Sequence, residues 1–420
     1  MSFLSLSRGP AATCAAVLFL GLAAVPARAL TLAEARDAAL AQHPDLLLAR
    51  NAVGGAAADR TIAGQSPNPT LSLQTVNIDP QRGVGRGPAW RQSVDSTVGV
   101  AWQVERGRKR DLRIAGAEAG QAASRADLAE TRRQVTLGAT LAYYDLKRAS
   151  DRLALVDDTL ALQQRTIEIA QRRLQAGDIA KVDVARLQVD QARAQAERAQ
   201  AEAERTMARR TLALAMGLDP SRPGDLQADD PYPEVSAAAD DEPARALLRP
   251  DVLAAERRVQ QARAQGDLAE ALTRRDVTLG VSAERFPPDN RGSLGLSVSV
   301  PLFWQHQYEG ERRKAALGIE AAELTLRRQR QQALLEVRQA DDQRQAARER
   351  LQRLEGVALP AAQQAMAAIE LAQQRGAASL TDVLDARRQL HAVQLDVVDA
   401  RADQAKAQAA WEASAVVDAE

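Results

Sequence analysis

Ser293-Leu294-Gly295-Leu296-Ser297-Val298-Ser299-Val300-Pro301-Leu302 alternates small or polar residues with branched apolar ones. Side chains on an extended chain point to opposite faces in turn, so Leu294, Leu296, Val298, Val300 and Leu302 share one face. The stretch predicts a strand with one greasy and one small-residue face, ended near Pro301, which has no N–H to give a ladder. A very long helical segment, about Arg312 to Arg375, follows directly.

The same arrangement occurs earlier in the chain. Val98, Val100, Trp102 and Val104 alternate in the same way just before a helical stretch from about Asp111 to Ala176. Each strand has a partner upstream, marked by Leu71, Leu73 and Thr75 in one case and by Val277, Leu279 and Val281 in the other. Loops with Gly, Pro and Asn (Pro80 to Pro88, Pro287 to Gly292) separate the members of each pair. The chain therefore contains two diverged copies of one pattern. His43-Pro44-Asp45-Leu46 aligns with Arg249-Pro250-Asp251-Val252. Thr70 to Leu73 aligns without a gap with Asp276 to Leu279, and Gly177 with Asp183-Val184 matches Gly376 with Asp382-Val383. Each copy reads helix, strand, strand, long helix, glycine turn and return helix. The first helices are expected over about Leu32 to Gln65 and about Pro243 to Arg274. Residues 30–216 form the first repeat, the Pro-, Asp- and Gly-rich 217–243 an equatorial linker, and 244–420 the second repeat.

In the first long helix Leu153, Val156, Leu160, Ile167, Ala170 and Leu174 fall at coiled-coil spacings. At 1.5 Å per residue such a helix runs roughly 95 Å, too long for a compact domain, so it must lie along equally long neighbours. Alanine, glutamine, arginine and glutamate dominate and aromatics make up only 3% of the chain, as long contacting helices require.

The N-terminus carries one positive charge before an apolar run from Ala11 to Val25 and the small-x-small triplet Ala27-Arg28-Ala29. That order reads as a signal peptide over 1–29, rather than a buried helix, and places the chain in the cell envelope. Cys14, the single cysteine, lies within it. The mature chain is then cysteine-free, which removes disulfides and thiolate metal sites. No other apolar run is long enough for a spanning helix. Acidic and basic residues balance at 55 each, giving no footprint for nucleic acid. Phosphate loops, nucleophile elbows and H-E-x-x-H zinc motifs are missing, so no enzyme chemistry and no cofactor are expected.

Four strands cannot close a barrel, and an open edge in lipid leaves backbone groups unpaired at several kcal/mol each. Either the sheet stays in water or several chains share one barrel. Three chains would give twelve strands, within the range of outer-membrane barrels. Alternation alone does not separate these two, because a half-buried soluble sheet alternates as well.

Through this duplicated order the chain resembles the TolC family of outer-membrane efflux proteins over essentially its whole mature length. Gly376 to Ala386, ending Asp382-Val383-Leu384-Asp385-Ala386, is similar to the family's periplasmic tip, and Val300-Pro301-Leu302-Phe303 to its strand-to-helix hinge. Glu105-Arg106-Gly107-Arg108-Lys109-Arg110 is similar to the Glu-x-Gly-Gly-Lys-Arg motif of the CzcC-like heavy-metal branch, departing from it at Arg108. The resemblance implies a mainly helical chain whose homotrimer forms a 12-stranded barrel with an α-helical periplasmic tunnel. It also implies a periplasmic membrane-fusion adaptor and an inner-membrane pump of the resistance-nodulation-division type. In that branch the cargo is divalent cobalt, zinc, cadmium or nickel. The alternatives are the same duct carrying drugs or small organics, and a soluble periplasmic coiled-coil adaptor or scaffold.

Asp382 and Asp385 stand three apart on one helix face. In a trimer they would make two stacked carboxylate rings, which attract cations; by spacing alone they are ordinary solvated acids. The resemblance assigns them to the entrance constriction. It makes Gly177, Gly376 and Asp183 tip contacts, and Pro301 the hinge. Relatives pair the Asp183 position with an arginine where this chain has Ala378, so Arg375, Lys181 or Arg186 must substitute, or closure works otherwise. His43, His306 and His391 lie far apart and read as a helix-end residue and two surface residues rather than metal ligands. Arg106, Arg108, Lys109 and Arg110 form a basic cluster. It faces lipid head groups of the outer membrane, lines the lumen, or pairs with a neighbouring subunit.

Overall fold

The computed structural model describes residues 30–78, 80–81, 94–233, 244, 246–286 and 291–415. The expected signal peptide lies outside these residues, as do 234–243 of the linker and most of the two strand loops. Four strands form one antiparallel sheet in sequence order: β1 (Thr70–Val76), β2 (Asp95–Val104), β3 (Val277–Phe286) and β4 (Arg291–Ser299). The ladder brings the apolar alternates into rows. Leu73, Val98, Ala283 and Leu294 lie side by side, then Leu71, Val100, Val281 and Leu296, then Trp102, Leu279 and Val298. The opposite face carries Ser72, Gly99, Ser282 and Gly295 in one row and Gln74, Thr97, Glu284 and Ser293 in the next. The apolar face is bare: Leu73, Leu294 and Leu296 are 74%, 85% and 86% exposed. β4 is shorter than the alternation suggests. It ends at Ser299, and Val300 to Leu302 lead out of the sheet past Pro301.

The helices lie as adjacent staves. α1 (Leu32–Gln42) and α2 (Pro44–Ala63) replace the single first helix expected. His43 breaks it, since the residue before a proline is pushed out of helical geometry, and Pro44 opens the next helix at a position needing no N–H donor. α3 (Lys109–Ala176) is unbroken over 68 residues, and α4 (Lys181–Ala215) returns beside it. α5 (Pro250–Ala271) repeats the Pro-Asp start of α2. α6 (Glu309–Arg353) continues through a π turn at Leu354–Ala358 into α7 (Leu359–Gln374), and α8 (Leu380–Ala415) returns. The π turn was not foreseen. Its cause is Pro360, whose ring clashes with the carbonyl one turn back, so the ladder widens by one residue.

α3 packs against α2, α4, α5 and α8, and of its expected seam Leu153, Val156, Ile167 and Ala170 are buried while Leu160 and Leu174 are half-buried. α2 rests on α3, α3 on α5, and α5 on α6, the same order as the strands they join. Midway, Tyr143, Tyr144, Leu146, Leu212 and Met216 make the largest core cluster with Ala35 and the linker's Ala228.

Candidate functional site

Two places concentrate the singled-out residues: the junction of sheet and helices, and the far tip where the long helices turn back. At the junction β2 must pass into α3 within a few residues. Gly107 (φ 77°) and Arg108 (φ 58°) make the bend, both in the left-handed region. A Cβ on Gly107 would fall 2.8 Å from the Arg274 side chain, so only glycine fits there. Lys109 then turns inward and is buried, its Nζ donating to Asp276 Oδ1 at 2.7 Å and to the Arg274 carbonyl at 2.8 Å. Asp276 also accepts from the Arg106 N–H at 2.9 Å and from Gln103 at 3.0 Å. Burial raises the Asp276 carboxyl, but these donors outweigh it and hold it below its ordinary value. Glu105 is lowered by its two-pronged bond to Arg113 (2.5 and 2.9 Å), and Arg110 Nε donates to the Gly64 carbonyl at 2.6 Å.

The stretch Glu105 to Arg110 is thus a clasp between the two repeats. The basic cluster read from sequence does not act as a unit: Lys109 is buried, while Arg106, Arg108 and Arg110 stay exposed, Arg110 reaching back to the Gly64 carbonyl. Asp276 and Arg113 were missed, because nothing in the spacing of one chain tells which carboxylate of the other repeat a lysine will meet. Among the described residues the second junction shows no such clasp. Tyr308 takes the left-handed position (φ 60°) before α6, and its ring meets Phe303 and His306. Pro301 lies between β4 and this aromatic group.

At the tip, Gly177 (φ 83°) and Gly376 (φ 79°) both sit left-handed just past a helix end. In each case the following N–H reaches back to the last turn: Asp178 to the Arg173 carbonyl at 2.9 Å, and Ala377 to Ala372 at 2.8 Å. Asp382 is exposed and closes a capping box with Ser379, accepting from its N–H at 2.9 Å and its hydroxyl at 2.8 Å. Those bonds hold its carboxyl low. The Ser-x-x-Asp cap was readable in the sequence and was overlooked. Asp385 pairs with Arg388 at 2.8 Å, and Arg388 reaches Asp190 of α4 at 3.5 Å. Of the three cations offered for the missing tip arginine, Arg186 lies 3.9 Å from Asp183, three residues before it on the same helix, and donates to Thr381 of the second repeat at 2.9 Å.

The histidines come no closer together. His43 caps α2 through the Asp45 N–H, and His306 is exposed beside Glu311. His391 is a correction: it is half-buried, 3.1 Å from Thr159 and 3.4 Å from Glu197, at the edge of a cavity of about 280 Å³ between α3, α4 and α8. No group of three or more potential ligands that could hold a metal occurs among the described residues. Nor is any described helix long and apolar enough to cross a membrane.

The chain matches the family model described as outer membrane efflux protein over residues 35–218 and 244–415. Among solved structures it is similar to CusC, studied for folding and transmembrane channel formation (17% identity, TM-score 0.77, 91% of each chain). It is also similar to the outer membrane protein VceC of Vibrio cholerae (22%, 0.75, 91% of this chain and 95% of that one). A third is the Campylobacter jejuni CmeC outer membrane channel (17%, 0.76, 91% and 85%). No curated protein matches the chain.

Proposed function

The chain belongs to the outer membrane efflux protein family and is an outer-membrane efflux channel; from that premise we propose that it works as a homotrimeric, passive exit duct for divalent heavy-metal cations. The observation that carries the duct is the sheet. One face is a bare apolar surface, the other is small and polar, and both edges, β1 and β4, are open. An open edge is intolerable in lipid, and joining β1 of one chain to β4 of the next removes every edge at twelve strands. The helices support the same closure. α2 and α6 form the outer margins of the stave order and carry exposed leucine and isoleucine, with Leu48, Ile62 and Leu317 all above half exposed. A neighbour's margin would cover them.

Dimensions agree with a membrane. The polar row Thr75, Ser96, Arg285 and Gly292 bounds the apolar band at one end. From Ser96 to Val104, where β2 ends, the strand rises about 26 Å. Tilted by about 40°, it spans about 20 Å, most of the roughly 25 Å height of a barrel's apolar belt. Gly99, Gly280 and Gly295 alternate with serines on the inner face, which lets that face draw together as a barrel wall must.

Asp382 and Asp385 are proposed as entrance rings, with Asp183, Gly177 and Gly376 as the tip where a periplasmic adaptor docks. That adaptor would connect the duct to an inner-membrane pump of the resistance-nodulation-division type. The heavy-metal cargo rests on the likeness of Glu105 to Arg110 to the CzcC-like motif. A deletion strain should lose tolerance of zinc, cadmium, cobalt or nickel and regain it with the intact gene. Sensitivity to dyes and antibiotics with normal metal tolerance would leave the duct standing and overturn the cargo.

A further inference from the structure

The apolar band ends on the helical side at an unusual row. β2 and β3 pair as far as Val104 opposite Val277. Past Val104 and Val277, where the ladder ends, the same register continued two residues would set Arg106 opposite Arg275. The alternation that turns Trp102, Val104, Val277 and Leu279 outward, continued likewise, would turn these two arginines outward as well. Their neighbours Glu105 and Asp276 fall on the other face, where Arg113 and Lys109 take them. Both arginines are exposed, and among the described residues no carboxylate pairs with either guanidinium. Arg275 lies over the ring of Phe303 at 5.5 Å, and the next residue, Trp304, is 78% exposed. Two like charges side by side are unfavourable on a strand pair, so the row calls for an anion. Directly above it lies the apolar band, and beside it an indole of the kind that settles at membrane interfaces.

We propose that Arg106 and Arg275 clamp the phosphate of an anionic phospholipid in the periplasm-facing leaflet, with Phe303 and Trp304 flanking its glycerol region. The placement rests on the barrel reading above. Guanidinium forks suit phosphate oxygens better than ammonium groups do. Acyl chains of the same lipid would lie along Val104, Val277 and Val298. The first junction then does two jobs: Lys109 ties the repeats together and Arg106 faces lipid, with the aromatic residues of the second junction beside it.

The test uses trimers of the full chain and of the R106Q/R275Q variant, purified in one detergent and offered phosphatidylglycerol, diacylglycerol or inorganic phosphate, with bound lipid counted by native mass spectrometry. Phosphatidylglycerol should bind the unaltered trimer in preference to diacylglycerol and weaken as salt is raised. Its affinity should drop roughly tenfold or more in the variant, and K314Q, one turn into α6, should leave it unchanged. Equal retention by both proteins, or equal retention of diacylglycerol, would overturn the clamp. Displacement by millimolar phosphate would show a free-anion site instead of a lipid site. Should the double variant fail to assemble, the salt dependence and lipid preference of the unaltered trimer still decide. A chain that forms no membrane-inserted trimer would sink the duct itself. A trimer that inserts but ignores phosphatidylglycerol sinks only the clamp.

Discussion

Arg108 carries a side chain through a left-handed bend with φ at 58°, where most residues lose 1–2 kcal/mol. Its exposed guanidinium recovers little from Asp111 at 3.4 Å. Glycine would remove the strain but add about 0.4–1 kcal/mol of unfolded-state entropy. The balance favours glycine, so Arg108→Gly should stabilise by about 0.5–1 kcal/mol, read as greater heat resistance of the assembled protein. The same bend explains why the related motif has glycine at this position. Lys109 is the opposite case. Its side chain is 8% exposed and that of Asp276 19%, and removing one partner of a buried pair strands the other. Lys109→Met should cost roughly 3 kcal/mol. Acid should attack the same clasp. Asp276 and Glu105 are both held below their ordinary values of 3.8 and 4.5, so the folded state binds these protons less readily than the unfolded one. Their stabilisation is complete above the unfolded values and fades as pH falls through the lower folded ones. Thermal melts from about pH 6 down to about pH 3 should show this loss, with a shallower slope in Lys109→Met.

At the level of the helices, the tip aspartates need a test that separates charge from scaffolding, because Asp382 also closes the α8 cap through Ser379. Alanine would remove both. Asparagine keeps an acceptor for the Ser379 N–H and drops the charge, so the double substitution Asp382→Asn with Asp385→Asn is the cleaner probe. In planar bilayers it should raise conductance and weaken block by divalent or trivalent cations; unchanged single-channel behaviour would remove the rings from the entrance. Ser379→Ala isolates the other role and should speed amide exchange in the first turn of α8 about fivefold. What the sequence could and could not say divides at this level. Periodicity located every strand and the buried seam of α3, because an apolar stripe must fall on the same face for the whole length of an element. The glycines of both tip turns were legible for an equally local reason. The split at His43 and the π turn at Pro360 were not drawn, although both follow from a proline: two helical patterns lay either side of each, and phase alone does not show a break. Cross-repeat partners such as Lys109 with Asp276, or Arg186 with Thr381, were out of reach, since residues about 170 to 195 apart meet only once the sheet order is known.

For the whole molecule, the repeat fixes more than the fold of one chain. Four staves and four strands follow one order, and both layers end in unfinished margins: β1 with α2 on one side, β4 with α6 on the other. A closed ring needs the two margins of neighbouring chains to match in both layers at once. A sheet that closed in another register would turn apolar rows into the lumen, because a one-residue slip exchanges the faces. The joining register must therefore keep Leu71 and Leu73 on the same side as Leu294 and Leu296. That requirement can be measured against a clean background, as the only cysteine, Cys14, lies in the segment expected to be removed. Cysteine placed at Ser72 and paired in turn with cysteine at Ser293, Gly295 or Ser297 scans the inner face of the seam. One of these pairs should oxidise to a ladder ending at three chains on a non-reducing gel. Pairs of Ser72 with Leu294 or Leu296, which face opposite sides, should stay reduced. Cross-linking that stops at two chains, or that ignores the face of the partner, would mean that the margins meet something other than a second and third copy of this chain.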